Sequence, residues 1–290
     1  MNSLDPTRPL YASGQLPTSA DTLVNSLDQE PEKCRECYHS DPSKIDSEQP
    51  ASKNSLFVQL LKGGISQGQS QGQSASIAAS SQCSSWLASL VYPLGRYLLV
   101  PAYFRQVEVI GRNNLPRTGP VILAPTHRSR WDAMMIPYAA GHDITGHHPR
   151  FMVSADEVRG LQGWFIRRLG GFPIDPKRPA IASLRHGVDL LQDGETLVIF
   201  PEGNIFRDGP VQRLKPGLAR LALQAESSRP KLGIQIVPIR IHYSDPSVPW
   251  RCKVKVCIGH PIQVSAYNAK TPKQSAQLLT ADLKQAIEAL

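Results

Sequence analysis

The chain has 290 residues, five cysteines and a formal net charge of +8. Its length admits one large domain or two small ones. The odd cysteine count, with Cys83, Cys252 and Cys257 far apart, excludes a disulfide framework and fits a reducing compartment. With its early acidic residues and no basic start followed by an apolar run, the N-terminus is not expected to carry a cleaved secretory or transit address.

Residues 1–80 are rich in Ser, Gln, Asp, Glu and Pro, hold 6 Lys and Arg against 9 Asp and Glu, and offer little apolar surface to offset ordering entropy. They are expected to form a disordered low-complexity tail, with a flexible Ser-Gln-Gly-Gln repeat from Ser66 to Ser74. Cys34 and Cys37 with His39 supply half of a zinc site, but no second ligand pair follows. The rest of the chain carries 26 basic against 15 acidic residues. That excess suits an anionic partner, whether nucleic acid, a membrane face or a phosphorylated cofactor.

Trp86 to Phe104 is apolar and about long enough to cross a bilayer, yet it contains Arg96, Pro93, Gly95 and Pro101. Two short helices lying in the membrane interface are expected, with Trp86, Tyr92, Tyr97 and Tyr103 near the headgroups. Short apolar runs then read as strands over Val107–Gly111, Val121–Pro125, Phe151–Ser154, Phe172–Ile174, Leu197–Phe200, Ile234–Ile241 and Val254–Ile258. Helical spacing predicts helices over Arg130–Tyr138, Val158–Leu169, Pro179–Leu191, Leu218–Glu226 and Lys273–Glu288. Strands alternating with helices indicate an α/β sheet with helices on its faces, so 84–290 is expected to be one domain.

Two strand ends carry unusual chemistry. After VILA comes Thr126-His127-Arg128-Ser129-Arg130-Trp131-Asp132; after LVIF comes Pro201-Glu202-Gly203-Asn204. On a continuous helix His127 and Asp132 point about 140° apart, so they meet only if His127 sits in a loop and a helix starts near Ser129. A carboxylate on one ring nitrogen then fixes the tautomer and leaves the other free to take a proton. No protein nucleophile accompanies the pair, so the activated hydroxyl would belong to a substrate.

His127-x4-Asp132, Phe200-Pro201-Glu202-Gly203, Gly163 to Arg168 followed by Gly171 to Asp175, and Ile236 to Ile239 together resemble the glycerolipid acyltransferase family, which includes lysophosphatidic acid acyltransferases. The resemblance covers about residues 105–260. It implies a mixed β-sheet flanked by helices, with His127 as catalytic base and Asp132 orienting it. Glu202 and Gly203 would shape the acceptor site, and Arg168 would meet a phosphate. The donor would be acyl-CoA or acyl carrier protein, with no cofactor. The acceptor would be a lysophospholipid, 1-acyl-sn-glycerol-3-phosphate first, with glycerol-3-phosphate or another lysophospholipid as alternatives. The expected place is the cytoplasmic face of a membrane.

Ile205 stands where the family commonly has an arginine, and Arg207 two residues on is the candidate replacement. The second block ends in Pro176, with Lys177 and Arg178 next, and Lys215-Pro216-Gly217 is either a phosphate contact or a helix-start turn. A metal-dependent hydrolase using His142, His147 and His148 lacks an assemblable ligand set, since GHDITGHHPR reads as an exposed connection. A non-catalytic basic module binding membrane or nucleic acid leaves the ordered blocks unexplained. Neither metal nor nucleic acid is therefore expected.

Overall fold

The apolar runs after residue 105 pair into one eight-stranded sheet in a computed structural model, which describes residues 83–175, 180–267 and 271–290. The tail expected over 1–80 lies outside the described residues, as do Lys177 and Arg178. The strands are β1 (Gln106–Ile110), β2 (Val121–Pro125), β3 (Arg150–Ser154), β4 (Gly171–Ile174), β5 (Thr196–Val198), β6 (Gln235–Tyr243), β7 (Lys253–Ile258) and β8 (Ile262–Gln263). Their spatial order is β1-β7-β6-β2-β5-β3-β4, with β8 also on β6. From β6 to β4 the strands are parallel, whereas β7 and β8 run antiparallel to β6. This is the mixed sheet expected.

The helices are α1 (Ser85–Pro93), α2 (Val100–Tyr103), α3 (Asp132–Ala140), α4 (His142–Thr145), α5 (Gly160–Arg168), α6 (Ile181–Gln192), α7 (Gly217–Ser228) and α8 (Pro272–Glu288). Side-chain alternation along each strand feeds two cores. Ile122 and Ala124 of β2, with Ile236 of β6, pack under α6, α7 and α8; Val121, Leu123, Val237 and Ile239 pack under α3 and the entry segment. A sheet covered on both faces explains why β2 is buried at every position.

The entry segment differs from expectation. Residues 85–103 are one uninterrupted helical run, in which α1 and α2 are joined by a π-helical stretch over Leu94–Leu99. The Val100 amide reaches back five residues to the Gly95 carbonyl. That wider turn makes room for the Pro101 ring, which in a plain α-helix would press on the carbonyl four residues earlier. Gly95 is where the helix touches α3, since a Cβ there would lie 2.7 Å from Met134 Sδ. Arg96 is a tether: its Nη1 donates to the Tyr138 carbonyl at 2.7 Å and pairs with Asp143 at 2.9 Å. Among the described residues, no helix is long and apolar enough to cross a membrane.

Two smaller readings also change. The GHDITGHHPR stretch is not simply exposed: it contains α4, buries Thr145 and Pro149, and stacks His142 on His148 with centroids 4.4 Å apart. Cys83 and Cys252 are free, whereas Cys257 is disulfide-bonded, which the cysteine count did not anticipate. The α3 contact gives a first prediction. Gly95→Leu should lower stability by about 1–3 kcal/mol through overpacking against Met134; an unchanged urea midpoint would contradict this close approach.

Candidate active site

Parallel pairing of β2 with β5, with Leu123 opposite Val198, makes the segments after both strands leave at the same edge of the sheet. Residues 75 apart in the chain therefore share one site, as at the carboxyl ends of other open α/β sheets. The helix expected from Arg130 begins instead at Asp132. Residues 126–129 stay in a loop because their polar groups are held elsewhere. The Thr126 amide donates to Ile239 O, Thr126 Oγ1 accepts from the Ile241 amide, and the His127 carbonyl accepts from Phe206.

Asp132 is completely buried and its carboxylate accepts four hydrogen bonds. Oδ2 takes His127 Nδ1–H at 2.9 Å and the amides of Arg128 and Ser129 at 2.6 and 2.8 Å. Oδ1 takes the Tyr243 hydroxyl at 2.7 Å. With four donors converging, the carboxylate serves as acceptor only, and the His127 proton is assigned to Nδ1. Asp132 also stands in the first turn of α3, where a negative charge is favoured. Burial, and then the neighbouring Asp132 charge, push the Tyr243 phenol well above its ordinary pKa, so it remains a donor.

The His127 side chain is 20% exposed, and its ring stacks on Phe200 with centroids 4.0 Å apart. Nε2 has no hydrogen-bond partner among the described residues. The pair therefore offers one fixed nitrogen and one open to a substrate proton. A neighbouring imidazole, His242, is pushed down to about 4 by burial, reinforced by Arg240, Arg128 and Lys255, and stays neutral near pH 7.

Glu202 faces inward. Its buried carboxylate accepts the His127 amide at 2.8 Å, the Gln212 amide at 2.9 Å and Arg128 Nη1 at 3.2 Å on each oxygen. Arg128 Nη1 also donates to the Phe206 carbonyl at 2.9 Å. The two motif loops are thus stitched together by one buried ion pair, with Glu202 turned inward to hold them. Gly203 has φ +70°, a conformation that favours glycine, and the Lys215 side chain lies over it. Pro216 caps α7, so the helix-start reading of Lys215-Pro216-Gly217 holds, yet Lys215 also brings an ammonium to this loop.

The two expected phosphate arginines separate. Arg207 is exposed one residue beyond Phe206, whose amide is clamped to the His127 carbonyl. Arg168 ends α5 just before Gly171, which lies opposite Phe151, itself opposite Val198. It therefore sits at the amino end of β4, the sheet edge away from His127, with its guanidinium 5.6 Å over the Trp164 ring. The structure does not bring Arg168 to the site. Among the described residues, no group of three or more His, Cys, Asp or Glu side chains could hold a metal ion.

Arg128 and Tyr243 join the site without having been singled out as its members, whereas Phe200 and Lys215 come from segments already marked in the sequence. Arg128 carried a signal, its place beside His127 in the strand-to-helix turn, but Tyr243 ends a long strand like many others.

The structure thus sets a paired His and Asp beside a bridged Glu-Gly loop on a mixed sheet. A family model described as Acyltransferase matches residues 106–242. A 1-acyl-sn-glycerol-3-phosphate acyltransferase of Bacillus subtilis is 25% identical over 189 residues, covering 63% of this chain and 87% of that protein. One of Streptococcus pneumoniae is 26% identical over half of each chain, and the mitochondrial glycerol-3-phosphate acyltransferase 1 of Homo sapiens is 28% identical over 43% of this chain. The chain spans half the length of the streptococcal protein and 16% of the human one. The crystal structure of PlsC, the 1-acyl-sn-glycerophosphate acyltransferase of Thermotoga maritima, shares the fold with a TM-score of 0.50 at 20% identity, over 69% of this chain and 79% of that one. Residues 106–242 thus match an acyltransferase family model, and the chain is similar to glycerolipid acyltransferases.

The buried bridge gives a second prediction. Arg128→Ala strands the Glu202 charge, so stability should fall by about 3–5 kcal/mol. A denaturation midpoint equal to that of the wild type would show that the bridge is not the clamp between the loops.

Proposed function

We propose that the protein moves a fatty acyl group from the thioester of acyl-CoA or acyl carrier protein to the free hydroxyl of 1-acyl-sn-glycerol-3-phosphate, giving phosphatidic acid. The observation that carries this reading is the His127–Asp132 pair, tied at Nδ1 and open at Nε2. Nε2 takes the acceptor hydroxyl proton while the oxygen attacks the thioester carbonyl. The tetrahedral adduct collapses with cleavage of the C–S bond, and the imidazolium returns its proton to the leaving thiolate. Asp132 stabilises that imidazolium, and Tyr243 holds the second carboxylate oxygen so that it cannot rotate away. No cofactor takes part.

The acceptor phosphate is met by cations of the 203–217 loop. Lys215 lies over Gly203 and Arg207 follows the clamped Phe206, which supports them over Arg168 for this role. The apolar strap of residues 85–103 rests in the cytoplasmic membrane interface, where lysolipid acceptor and diacyl product reside. Its outward residues Trp86, Leu90, Leu94, Tyr97 and Leu98 are all more than half exposed, which is the support for that placement. A second reading, acylation of glycerol-3-phosphate, is favoured by the name of the human relative.

Purified protein offered an acyl thioester with either acceptor separates the two readings: phosphatidic acid should form faster than the lysophosphatidic acid product of glycerol-3-phosphate. Transfer to neither acceptor would overturn the assignment of substrate. His127→Ala should lower turnover on the order of a hundredfold or more while the protein stays folded. Combining Lys215→Ala with Arg207→Ala should raise the KM for phosphorylated acceptors roughly tenfold or more and spare the donor KM; equal KM values for a phosphorylated acceptor and its phosphate-free analogue, before and after substitution, would remove this loop as the phosphate site.

A further inference from the structure

Residues Trp86, Leu90, Leu94, Tyr97, Leu98, Pro101 and Ala102 are all exposed. Their spacing of three or four residues would drift around a plain α-helix by about 40° at each four-residue step. The π-helical stretch, with about 4.4 residues per turn, turns the other way and keeps the stripe on one side. No acidic residue occurs between Ser84 and Val107. The stripe does not end with the helix.

Trp250, 65% exposed and far along the sequence, donates its Nε1–H to the Ala102 carbonyl at 3.1 Å and so extends the stripe. Considerable local structure holds it there. The loop between β6 and β7 places Val248 at φ +51° and Arg251 at φ +65°, a strained conformation for a β-branched residue above all. Tyr103 pins the loop from both sides: its hydroxyl donates to the Val248 carbonyl at 2.8 Å, and its own carbonyl accepts the Arg251 amide at 2.7 Å. A strained loop anchored in this way presents an indole to solvent. Folding alone gives no reason to keep it there.

The exposed charges beside it are basic. Arg251 is exposed with its guanidinium 5.4 Å over the Trp250 ring; Arg105, whose amide donates to the Cys252 carbonyl, and Lys253 are exposed beside it. Asp245, the acidic residue of the loop, is turned onto the amide and hydroxyl of Ser247. At the other end of the stripe, the Ser84 amide donates to the Arg168 carbonyl at 2.8 Å, so a second exposed arginine stands near Trp86. Tryptophan with arginine at both ends of an apolar stripe matches the boundary between acyl chains and negatively charged headgroups.

We infer that the Val248–Lys253 loop is a second bilayer anchor, in which Trp250 enters the headgroup boundary and Arg105, Arg251 and Lys253 bind the phosphates of anionic lipids. The inference rests on the reading of the strap as an interface element and assigns it a headgroup preference. It also gives Arg168 a role away from the catalytic edge, as the cation at the opposite end.

Co-sedimentation of the full chain with zwitterionic vesicles, and with vesicles containing anionic lipid, tests it. Wild type should bind the anionic vesicles more tightly. Arg251→Gln with Lys253→Gln should weaken that binding roughly fivefold for each charge removed and erase most of the headgroup preference. Trp250→Ala should weaken binding to both vesicle types, Trp250→Phe less so, with unchanged circular dichroism. If these variants bind like wild type while Leu94→Glu with Leu98→Glu abolishes binding, the loop is not an anchor and the strap reading stands. If wild type binds neither vesicle, both fall.

Discussion

A buried carboxylate with no lysine or arginine partner among the described residues governs the local architecture. Taking Asp132 out of water costs several kcal/mol unless its oxygens are fully hydrogen-bonded, and four donors from two segments meet that demand. Two are backbone amides of Arg128 and Ser129, which can point at Asp132 only if residues 126–129 leave the helix. The start of α3, the loop conformation and the placement of His127 thus follow from one requirement. Glu202 repeats the pattern next door, with the difference that its charge is offset by Arg128.

The same carboxylate connects the site to the outer surface. Trp131, the residue before it, lies 4.3 Å from the Tyr103 ring and 5.1 Å from the Phe104 ring, while Phe104 lies 6.2 Å from Tyr243. The end of the strap therefore packs on both a chain neighbour and a hydrogen-bond partner of Asp132. The apolar strap proposed to rest on a lipid surface and the imidazole proposed as base are thus linked through one aromatic cluster. Such packing fixes the height of His127 relative to the strap, because interiors at crystal-like density transmit displacement rather than absorb it.

Much of this was legible in the sequence, for identifiable reasons. Strands such as Val121–Pro125 stand out because burial on both faces demands an unbroken apolar run, and the His-Asp spacing is readable because it fails on a continuous helix. Arg168 shows the opposite case. Its motif neighbourhood drew it toward the phosphate, but only the register of β3 with β4 reveals that it stands at the wrong sheet edge. Prolines suggested two helices where a π-helical turn that accommodates the Pro101 ring makes one. Tyr243 and Trp250 were silent because their partners lie more than a hundred residues away.

The claim on which the mechanism turns is that Asp132 fixes the His127 proton on Nδ1 and leaves Nε2 as an acceptor. Nitrogen NMR of protein labelled at histidine, with the His127 signals assigned by their loss in His127→Asn, measures this directly. In the neutral ring, Nδ1 should show the shift of a protonated nitrogen and Nε2 that of an unprotonated one, and Asp132→Asn should abolish that bias. A neutral His127 carrying its proton on Nε2 in the wild type would contradict the account, because no base would then face the acceptor hydroxyl.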